Sequence, residues 1–344
     1  MTKQLSKTDA SAPELIRPEE GETAARVLIL GGVEPPAGDV RFGEALRPLL
    51  SAQQRIVAAL HGEDASAAAW AAQAGIGILA LAGMRGEAEI GLPQGVAAIG
   101  AGGTEALATR PQILCVNGVR LGFLSFAEQA AGEAAGRADI LGLAVYDRVR
   151  MLLSQCDHVL VLVRAGLDEG ELPLPEWRAR YRRFIDAGAS VVADTGAAKG
   201  WEAYQSGLVF YGLGAPNGAD SLGLFLTLRP NGRLDYEVRA LSGAGGAIDL
   251  SANDAFRARI DAQNALLTDG AAYARAADAM CLALYEKNES QQKRGLFGAF
   301  SPRIDAEERL CALLGSESRR RMALRALRLK RAAQQGKRDR TKKA

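Results

Sequence analysis

The sequence predicts an α/β protein with mixed sheets, covered by helices and followed by a helical carboxyl-terminal extension. Short apolar runs bounded by glycine, proline or polar residues alternate with segments of helical composition between residues 25 and 243. Runs such as RVLIL (26–30) are apolar at almost every position, as in strands that are buried on both faces. From residue 251 onward such runs cease and the composition is helical.

Four strands and two helices are predicted in the first part of the chain. The first strand, RVLIL, is bounded by Gly31-Gly32. The elements after it are the helix GEALRPLLSAQQ (43–54), the strand RIVAAL (55–60), the helix DASAAAWAAQAG (64–75) and the strands GIGILALA (75–82) and GVAAIGAG (95–102). Strands that alternate with helices favour a parallel or mixed sheet with helices on both faces.

A hairpin interrupts this alternation. The segment PQILCVNGVRLGFLSF (111–126) contains two strands joined at Asn117-Gly118, a dipeptide typical of two-residue turns with positive φ. Beyond it we predict helices at 144–156 and 175–188, and strands at 158–163, 190–193, 207–214, 222–228 and 233–241. We expect the α/β core to end near residue 243.

The flanking regions differ from this core in composition. Residues 1–24 form a polar leader that we expect to be disordered, and the core domain spans 25–243. A helical extension follows at 251–290, with a break at Asp269-Gly270, then a linker at 291–303 and a basic helix and tail at 304–344. The leader has no apolar core of a signal peptide, and no apolar run approaches the roughly 20 residues of a membrane helix. We therefore expect a cytoplasmic protein.

The basic end of the chain contrasts with an acidic body. Residues 317–344 contain twelve Lys or Arg and two acidic residues, a net charge of +10, whereas the whole chain carries +2 and the rest therefore −8. A basic helix of this kind either solubilises the chain or binds an anionic partner, such as the inner face of an acidic membrane or a nucleic acid. Both readings stay open at this point.

Several catalytic classes find no support among the motifs. The glycine-rich segment GAGGTEAL (100–107) lacks the third glycine of a dinucleotide loop and the lysine of a P-loop, so a tight turn is expected there. No GxSxG motif accompanies the two histidines, His61 and His158, so a hydrolase triad is not predicted. No motif supplies the three or four ligands of a metal cluster.

Four stretches together resemble a known family. FGEALRPLLSAQQRIVAALHGE (42–63), the glycine turn and hairpin at 95–126, the run at 156–198 and YQSGLVFYGLGAP (204–216) are similar to segments of the bacterial capsule-synthesis CapA family, which takes part in poly-γ-glutamate synthesis. That family is related to calcineurin-like metallophosphoesterases. The resemblance covers about 25–241 and implies a metallophosphoesterase-like α/β sandwich with mixed sheets.

The resemblance also shows which functional side chains are missing. The family's Gly-Asp after the first strand falls on Gly31-Gly32, and the Asn and Glu of the second strand fall on Ala59 and His61. Its Asn-Asn-His falls on Gly83 to Arg85, its His-Trp-Gly on Arg164 to Gly166, and its Gly-His-His-Pro-His on Ala193 to Ala197. Of these residues only His61 and Asp194 have side chains that bind metals, and neither matches the family's residue type at its position.

We interpret the chain as a non-catalytic protein with this scaffold. It would bind or regulate a protein partner or an anionic ligand, and it would be linked to capsule, poly-γ-glutamate or envelope polymer synthesis. No catalytic residue, no metal and no cofactor are predicted. The alternative is an active hydrolase or polymer-synthesis enzyme whose site is rebuilt from other acidic residues, namely Asp39, Glu63, Asp168, Glu169 and Asp194. A two-metal phosphoesterase would need such ligands to lower the pKa of a bound water.

The side chains that stand in place of the family's ligands suggest an anion site. His61, Arg85, Arg164 and Asp194 are predicted to converge at one end of the sheet. A guanidinium group offers forked donors to phosphate, polyphosphate or poly-γ-glutamate. The competing interpretation is an internal plug, in which Arg85 or Arg164 pairs with Asp194 or Glu63 and fills the cavity.

Overall fold

Two sheets stack face to face, and helices cover the outer face of each. The computed structural model describes residues 5–7, 23–33, 41–60, 66–84, 91–129, 136–218, 220–243, 247–295 and 314–343. The buried residues of these segments form three apolar layers, one between the sheets and one beneath each set of helices. The arrangement is an α/β sandwich with a helical carboxyl-terminal extension, as the sequence predicts.

The first sheet contains nine strands of the described chain. They are β1 (Leu5–Lys7), β2 (Ala25–Val33), β3 (Arg41–Phe42), β4 (Arg55–Leu60), β5 (Ile78–Ala80), β6 (Ala97–Ile99), β13 (Ser221–Leu228), β14 (Leu234–Ser242) and β15 (Ala247–Leu250). Their order is β3-β15-β14-β13-β2-β4-β5-β6, and β1 also pairs with β14. The pairs from β2 to β6 are parallel, whereas β13 runs antiparallel to both β2 and β14, so the sheet is mixed.

The second sheet contains six described strands. They are β7 (Gln112–Val116), β8 (Val119–Ala127), β9 (His158–Arg164), β10 (Val191–Asp194), β11 (Trp201–Tyr204) and β12 (Gly207–Phe210), in the order β11-β12-β10-β9-β8-β7. The four central strands are parallel, and antiparallel partners close both edges. Parallel central strands bring the carboxyl ends of β8, β9 and β10 to one edge, where the candidate site lies.

Eight helices of the described chain cover the sheets or extend beyond them. They are α1 (Arg47–Ser51), α2 (Ser66–Gln73), α3 (Glu105–Ala108), α4 (Val145–Leu152), α5 (Pro175–Asp186), α6 (Asp254–Thr268), α7 (Gly270–Gly295) and α8 (Glu317–Lys343). The Asp269-Gly270 break is confirmed, because Asp269 ends α6 and its carboxylate accepts the Ala271 and Ala272 N–H groups that open α7.

Alternation along β2 shows why the strands are apolar throughout. Val27 and Ile29 lie in the layer between the sheets, whereas Leu28 and Leu30 lie beneath the helices on the outer face. Both faces of each central strand are therefore shielded from solvent. Burial of one such side chain contributes roughly 2 kcal/mol to the free energy of unfolding. Phe123 and Phe210 of the second sheet fill the same inner layer from the other side.

The structure differs from the sequence prediction at several elements. β1 lies within residues 1–24, where a disordered leader is predicted, and β15 pairs with β14 beyond residue 243. β3 and β11 lie where no strand is predicted, and α1 is shorter than the predicted helix. β2 continues through Gly31 and Gly32 to Val33, with an irregularity between Leu30 and Gly32, because its pairing with β4 holds the glycines in the sheet. Helix α7 extends to Gly295, and α8 covers most of the basic tail. No helix among the described residues is long and apolar enough to cross a bilayer.

Candidate functional site at the carboxyl ends of the strands

The carboxyl ends of β8, β9 and β10 bring charged residues together. Ala127, which precedes Glu128, pairs with Arg164 in the sheet register, and Asp194 pairs with Val163. Glu128, Arg164 and Asp194 therefore end or follow three adjacent parallel strands. This is the edge at which open α/β sheets place their ligands.

Arg164 is held by Asp168 in the loop that follows β9. The Arg164 Nη1 donates to Asp168 Oδ1 at 3.0 Å, and Nη2 donates to Oδ2, so the pair is bidentate. The backbone N–H of Ala197 also donates to Asp168 Oδ1 at 3.0 Å. Burial favours the neutral acid, but the hydrogen bonds and charge of Arg164 outweigh it and lower the pKa of Asp168 to about 2. The Arg164 guanidinium is thus already paired with the Asp168 carboxylate.

Asp194 is fully enclosed at the end of β10. The Tyr181 hydroxyl donates to its Oδ2 at 2.5 Å, and the Gly196 N–H donates to its Oδ1 at 2.7 Å. Burial raises the pKa of Asp194 to about 6, although the nearby charges of Arg164 and Lys199 act in the opposite direction. Both carboxylate oxygens of Asp194 therefore already accept hydrogen bonds from the protein itself.

Lys199 is a second buried cation beside this carboxylate. Its side chain is buried, and Nζ donates to the Ala197 carbonyl at 3.4 Å. Burial lowers the pKa of Lys199, and the negative charge of Asp194 partly offsets this effect. The charges of Arg164 and Lys199 thus balance those of Asp168 and Asp194 without an added ion.

Glycines let Arg164 fill the space between the strand ends. A Cβ atom on Gly83 would lie 2.6 Å from Arg164 Cγ, and one on Gly196 would lie 2.5 Å from Arg164 Nη1. Met84, next to Gly83, is also buried. At the described positions Gly83 and Gly196, the space next to the backbone is thus taken by the Arg164 side chain.

The two sheets touch directly beside this cluster. A Cβ atom on Gly31 would lie 1.8 Å from the Gly214 carbonyl oxygen, and the Gly32 N–H donates to the Thr195 carbonyl at 3.1 Å. Because backbone meets backbone at this point, the described strand ends leave no room for a side chain between Gly31 and Gly214.

Glu128 ties the carboxyl-terminal extension to the same edge. Its Oε1 accepts the Ser318 N–H at 2.6 Å and the Ser316 hydroxyl at 2.9 Å, and its Oε2 accepts the Ser318 hydroxyl and the Gly166 N–H at 3.3 Å. The Trp177 indole N–H donates to the Ser318 hydroxyl at 2.7 Å. A carboxylate at the first turn of α8 also meets the positive end of its helix dipole. The start of α8 is therefore anchored beside the end of β8.

The structure brings together part of the predicted site. Arg164 and Asp194 lie close to each other, but each is bonded to other residues, so the predicted Arg164–Asp194 pair is replaced by Arg164–Asp168. His61 and Arg85 lie outside the described residues. Of the alternative acidic set, Asp39 and Glu63 also lie outside them.

Three members of the cluster were missed by sequence reasoning. Glu128 follows strand β8 directly, and an acidic residue at the end of a buried strand is a signal that could have found it. Tyr181 lies within a helix and Lys199 within a loop, and only tertiary packing brings them to Asp194.

The described residues do not fit the metal pair that the family resemblance implies. Asp194 is the one carboxylate among the described residues at those family positions, and both of its oxygens accept hydrogen bonds from the protein. The cationic Arg164 lies beside it and opposes a second cation. Across the described segments no three or more His, Cys, Asp or Glu side chains group as metal ligands.

Comparison with known proteins agrees with the resemblance. Residues 80–215 match the family model described as "Bacterial capsule synthesis protein PGA_cap", which confirms the similarity seen in the sequence motifs. The matched segment runs from the end of β5 to the loop after β12, and it includes Arg164, Asp168 and Asp194. No curated protein sequence matches the chain.

Solved structures show distant similarity. A candidate 5′-nucleotidase from Staphylococcus aureus, in complex with alpha-ketoglutarate, is 8% identical with a TM-score of 0.41 and covers 71% of this chain and 59% of its own. This chain thus spans less than two thirds of that protein. The Vps29 protein of Chaetomium thermophilum is 12% identical with a TM-score of 0.25, covering 63% of this chain and 96% of its own.

Proposed function

We propose that this chain, which is related to the bacterial capsule-synthesis family over residues 80–215, acts as a non-catalytic binding or regulatory scaffold in the cytoplasm. The polymer pathway it serves is proposed to be capsule or poly-γ-glutamate synthesis, on the strength of the family match alone. The observation that carries the non-catalytic part is the internal pairing of Arg164 with Asp168 at the strand ends.

This pairing supports a plug at the family's functional edge. A phosphate or carboxylate ligand would have to displace Asp168, whose carboxylate also holds the loop through Ala197. Titration with inorganic phosphate tests the plug. The Asp168→Asn variant is expected to bind phosphate at millimolar concentration, because the Arg164 guanidinium is freed, whereas the wild type is expected not to bind it. Equal phosphate binding by both proteins would contradict the plug.

Metal dependence provides the main test of the proposed function. A metal ion that binds only the folded state raises its stability, by about 2.7 kcal/mol at a hundredfold excess over Kd. We expect the melting temperature to be the same with excess chelator, with Mn²⁺ and with Zn²⁺. Metal analysis of the purified protein and a broad phosphoesterase screen complete the test. A metal-dependent rise of several degrees, or a hydrolytic activity lost with chelator, would support the altered-enzyme alternative instead.

A second candidate function is attachment to an acidic membrane surface through α8. Leu324 and Leu327 are 44% and 47% exposed, and the exposed Arg328 and Arg331 share their helix face. This face lies opposite Met322 and Ala326, which pack onto the core. Neither Arg328 nor Arg331 has an ion-pair partner within the described segments. Leucines flanked by arginines are typical of helices that lie in a membrane interface, which favours lipid over nucleic acid.

Vesicle binding distinguishes these partners. Arg328→Gln/Arg331→Gln is expected to reduce binding to phosphatidylglycerol vesicles about 30-fold at low salt, since each arginine near such a surface contributes about 1 kcal/mol. Leu324→Ser/Leu327→Ser should also weaken it, and the matched control Arg110→Gln/Arg183→Gln should not. Equal vesicle binding by all variants would contradict membrane attachment. Binding of a DNA duplex that depends on the arginines but not on the leucines would identify a nucleic-acid surface.

A further inference from the structure

A cleft lies at the free edge of the second sheet, on residues that the proposed function does not use. It has a volume of about 550 Å³ and opens between α5, α6 and the edge strand β11. Arginine, aromatic and amide side chains line it, namely Arg178, Arg182, Trp201, Glu202, Tyr236 and Asn264. Volumes of this size accommodate small organic molecules.

The charged groups of the cleft leave an excess of positive charge. Arg178 and Arg182 both pair with Glu202, with Nη2 to Oε2 distances of 2.6 Å in each case. Burial favours protonated Glu202, but the hydrogen bonds of Arg182, Arg178 and Tyr211 lower its pKa to about 2. Two guanidinium groups therefore share one carboxylate, and the lining carries a net charge of +1.

Both guanidinium groups are held in place by aromatic rings. Arg178 Cζ lies 4.3 Å from the ring centre of Tyr273, and Arg182 Cζ lies 4.6 Å from that of Tyr204. Their Nε and Nη2 atoms are used by Glu202, and Arg178 Nη2 also donates to the Leu267 carbonyl. The Nη1 atoms make no hydrogen bond within the described part of the chain. Guanidinium groups held in this way have Nη1 donors left for an anionic group.

Aromatic and apolar side chains form another part of the lining. Trp201 stacks on Phe210 with ring centres 5.6 Å apart, and Tyr236 and Leu267 also line the cleft. The backbone N–H of Trp201 donates to Asn264 Oδ1 at 2.7 Å, which fixes α6 against the sheet edge. A flat apolar group would thus meet a rigid surface, with little ordering cost on binding.

We propose that this cleft binds a small organic anion that carries one phosphate or carboxylate group on a flat apolar body. The anion contacts the Nη1 groups of Arg178 and Arg182, and the flat body lies along Trp201 and Tyr236. The site is independent of the strand-end cluster, so the proposal stands or falls separately from the proposed function.

Phenyl phosphate, benzoate and inorganic phosphate serve as probes in equilibrium dialysis with the full-length protein. We expect phenyl phosphate and benzoate to bind at least threefold more tightly than inorganic phosphate, because only they supply the flat body. Arg182→Gln is expected to weaken phenyl phosphate binding at least tenfold, and Arg182→Lys less. Arg183→Gln, on the exposed side of the same helix, makes the same charge change and should leave binding unaltered.

The fold of each variant is checked by circular dichroism, and Arg178 remains to neutralise Glu202 in Arg182→Gln. The proposal would be overturned if the wild type bound neither phenyl phosphate nor benzoate at about 10 mM. It would also be overturned if Arg182→Gln bound them as tightly as the wild type. An equal loss in Arg183→Gln would also overturn it, since the effect would then be one of general surface charge.

Discussion

Asp194 shows how burial changes the chemistry of a single side chain. Its folded-state pKa of about 6 lies above the value near 3.9 of an aspartate in the unfolded chain. The folded protein therefore binds the proton more readily, and its stability relative to the unfolded chain rises as pH falls from above 6 towards 4. The effect of this one carboxylate amounts to about 3 kcal/mol across that range.

Asp194→Asn should remove this pH dependence. The amide is nearly isosteric, accepts the Gly196 N–H and stays uncharged, so we expect wild type to gain stability between pH 7.5 and 5 by about 1–1.5 kcal/mol relative to the variant. Urea denaturation at pH 7.5, 6 and 5 measures the difference. Asp168 and Glu202, whose folded-state pKa values are about 2, lose their stabilising effect only as pH falls below about 4 and lie outside this window. Parallel pH profiles for both proteins would show that Asp194 does not titrate there.

Helix α8 is held on the protein by one buried stripe and by the ion pairs of Arg325 and Lys330. Met322 and Ala326 pack inward, and Arg325 pairs with Asp278 of α7 at 2.6 Å and with Glu176 of α5 at 3.3 Å. These contacts, together with Glu128, fix the helix along its first three turns. The exposed face of α8 is therefore not needed to hold the helix on the core.

Two substitutions on α8 separate these faces. Met322 is 1% exposed, and Met322→Ala is expected to lower the free energy of unfolding by about 2–3 kcal/mol, because it leaves a cavity beneath the helix. Leu324→Ala, at a position 44% exposed, should change it by less than about 0.5 kcal/mol. Urea denaturation and hydrogen exchange of the α8 amides measure both. Equal effects of the two changes would mean that α8 does not pack as described.

At the scale of the whole molecule, a close backbone contact at Gly31 holds the first sheet against the loop that follows β12, beside the strand-end cluster. The Gly31 Cα faces the Gly214 carbonyl so closely that an added Cβ atom would lie 1.8 Å from its oxygen. A side chain at Gly31 would push β2 away from the loop after β12. The resemblance places the family's glycine at this position, so Gly31 is the residue type that the contact requires.

Gly31→Ala tests this contact. We expect a loss of at least about 3 kcal/mol of stability, because backbone of both sheets must move to admit one methyl group. Gly270→Ala is the matched control, since no atom lies within 4 Å of the added methyl group, and it should be neutral or slightly stabilising at the start of α7. Thermal unfolding of both variants measures the difference. A neutral Gly31→Ala would show that the sheets are not in contact here.

Among the described residues, local sequence by itself determined most of the longer strands and helices and two of the breaks between them. Asn117 and Gly118 adopt positive φ angles of 47° and 77°, and Asp269-Gly270 separates two helices, because these choices depend on neighbours within a few residues. Only the tertiary structure decided the Arg164–Asp168 plug, the enclosure of Asp194 by Tyr181 and the bond from Glu128 to Ser318, 190 positions apart. Such partners are chosen by strand order and helix docking, which bring together side chains whose spacing along the chain carries no signal.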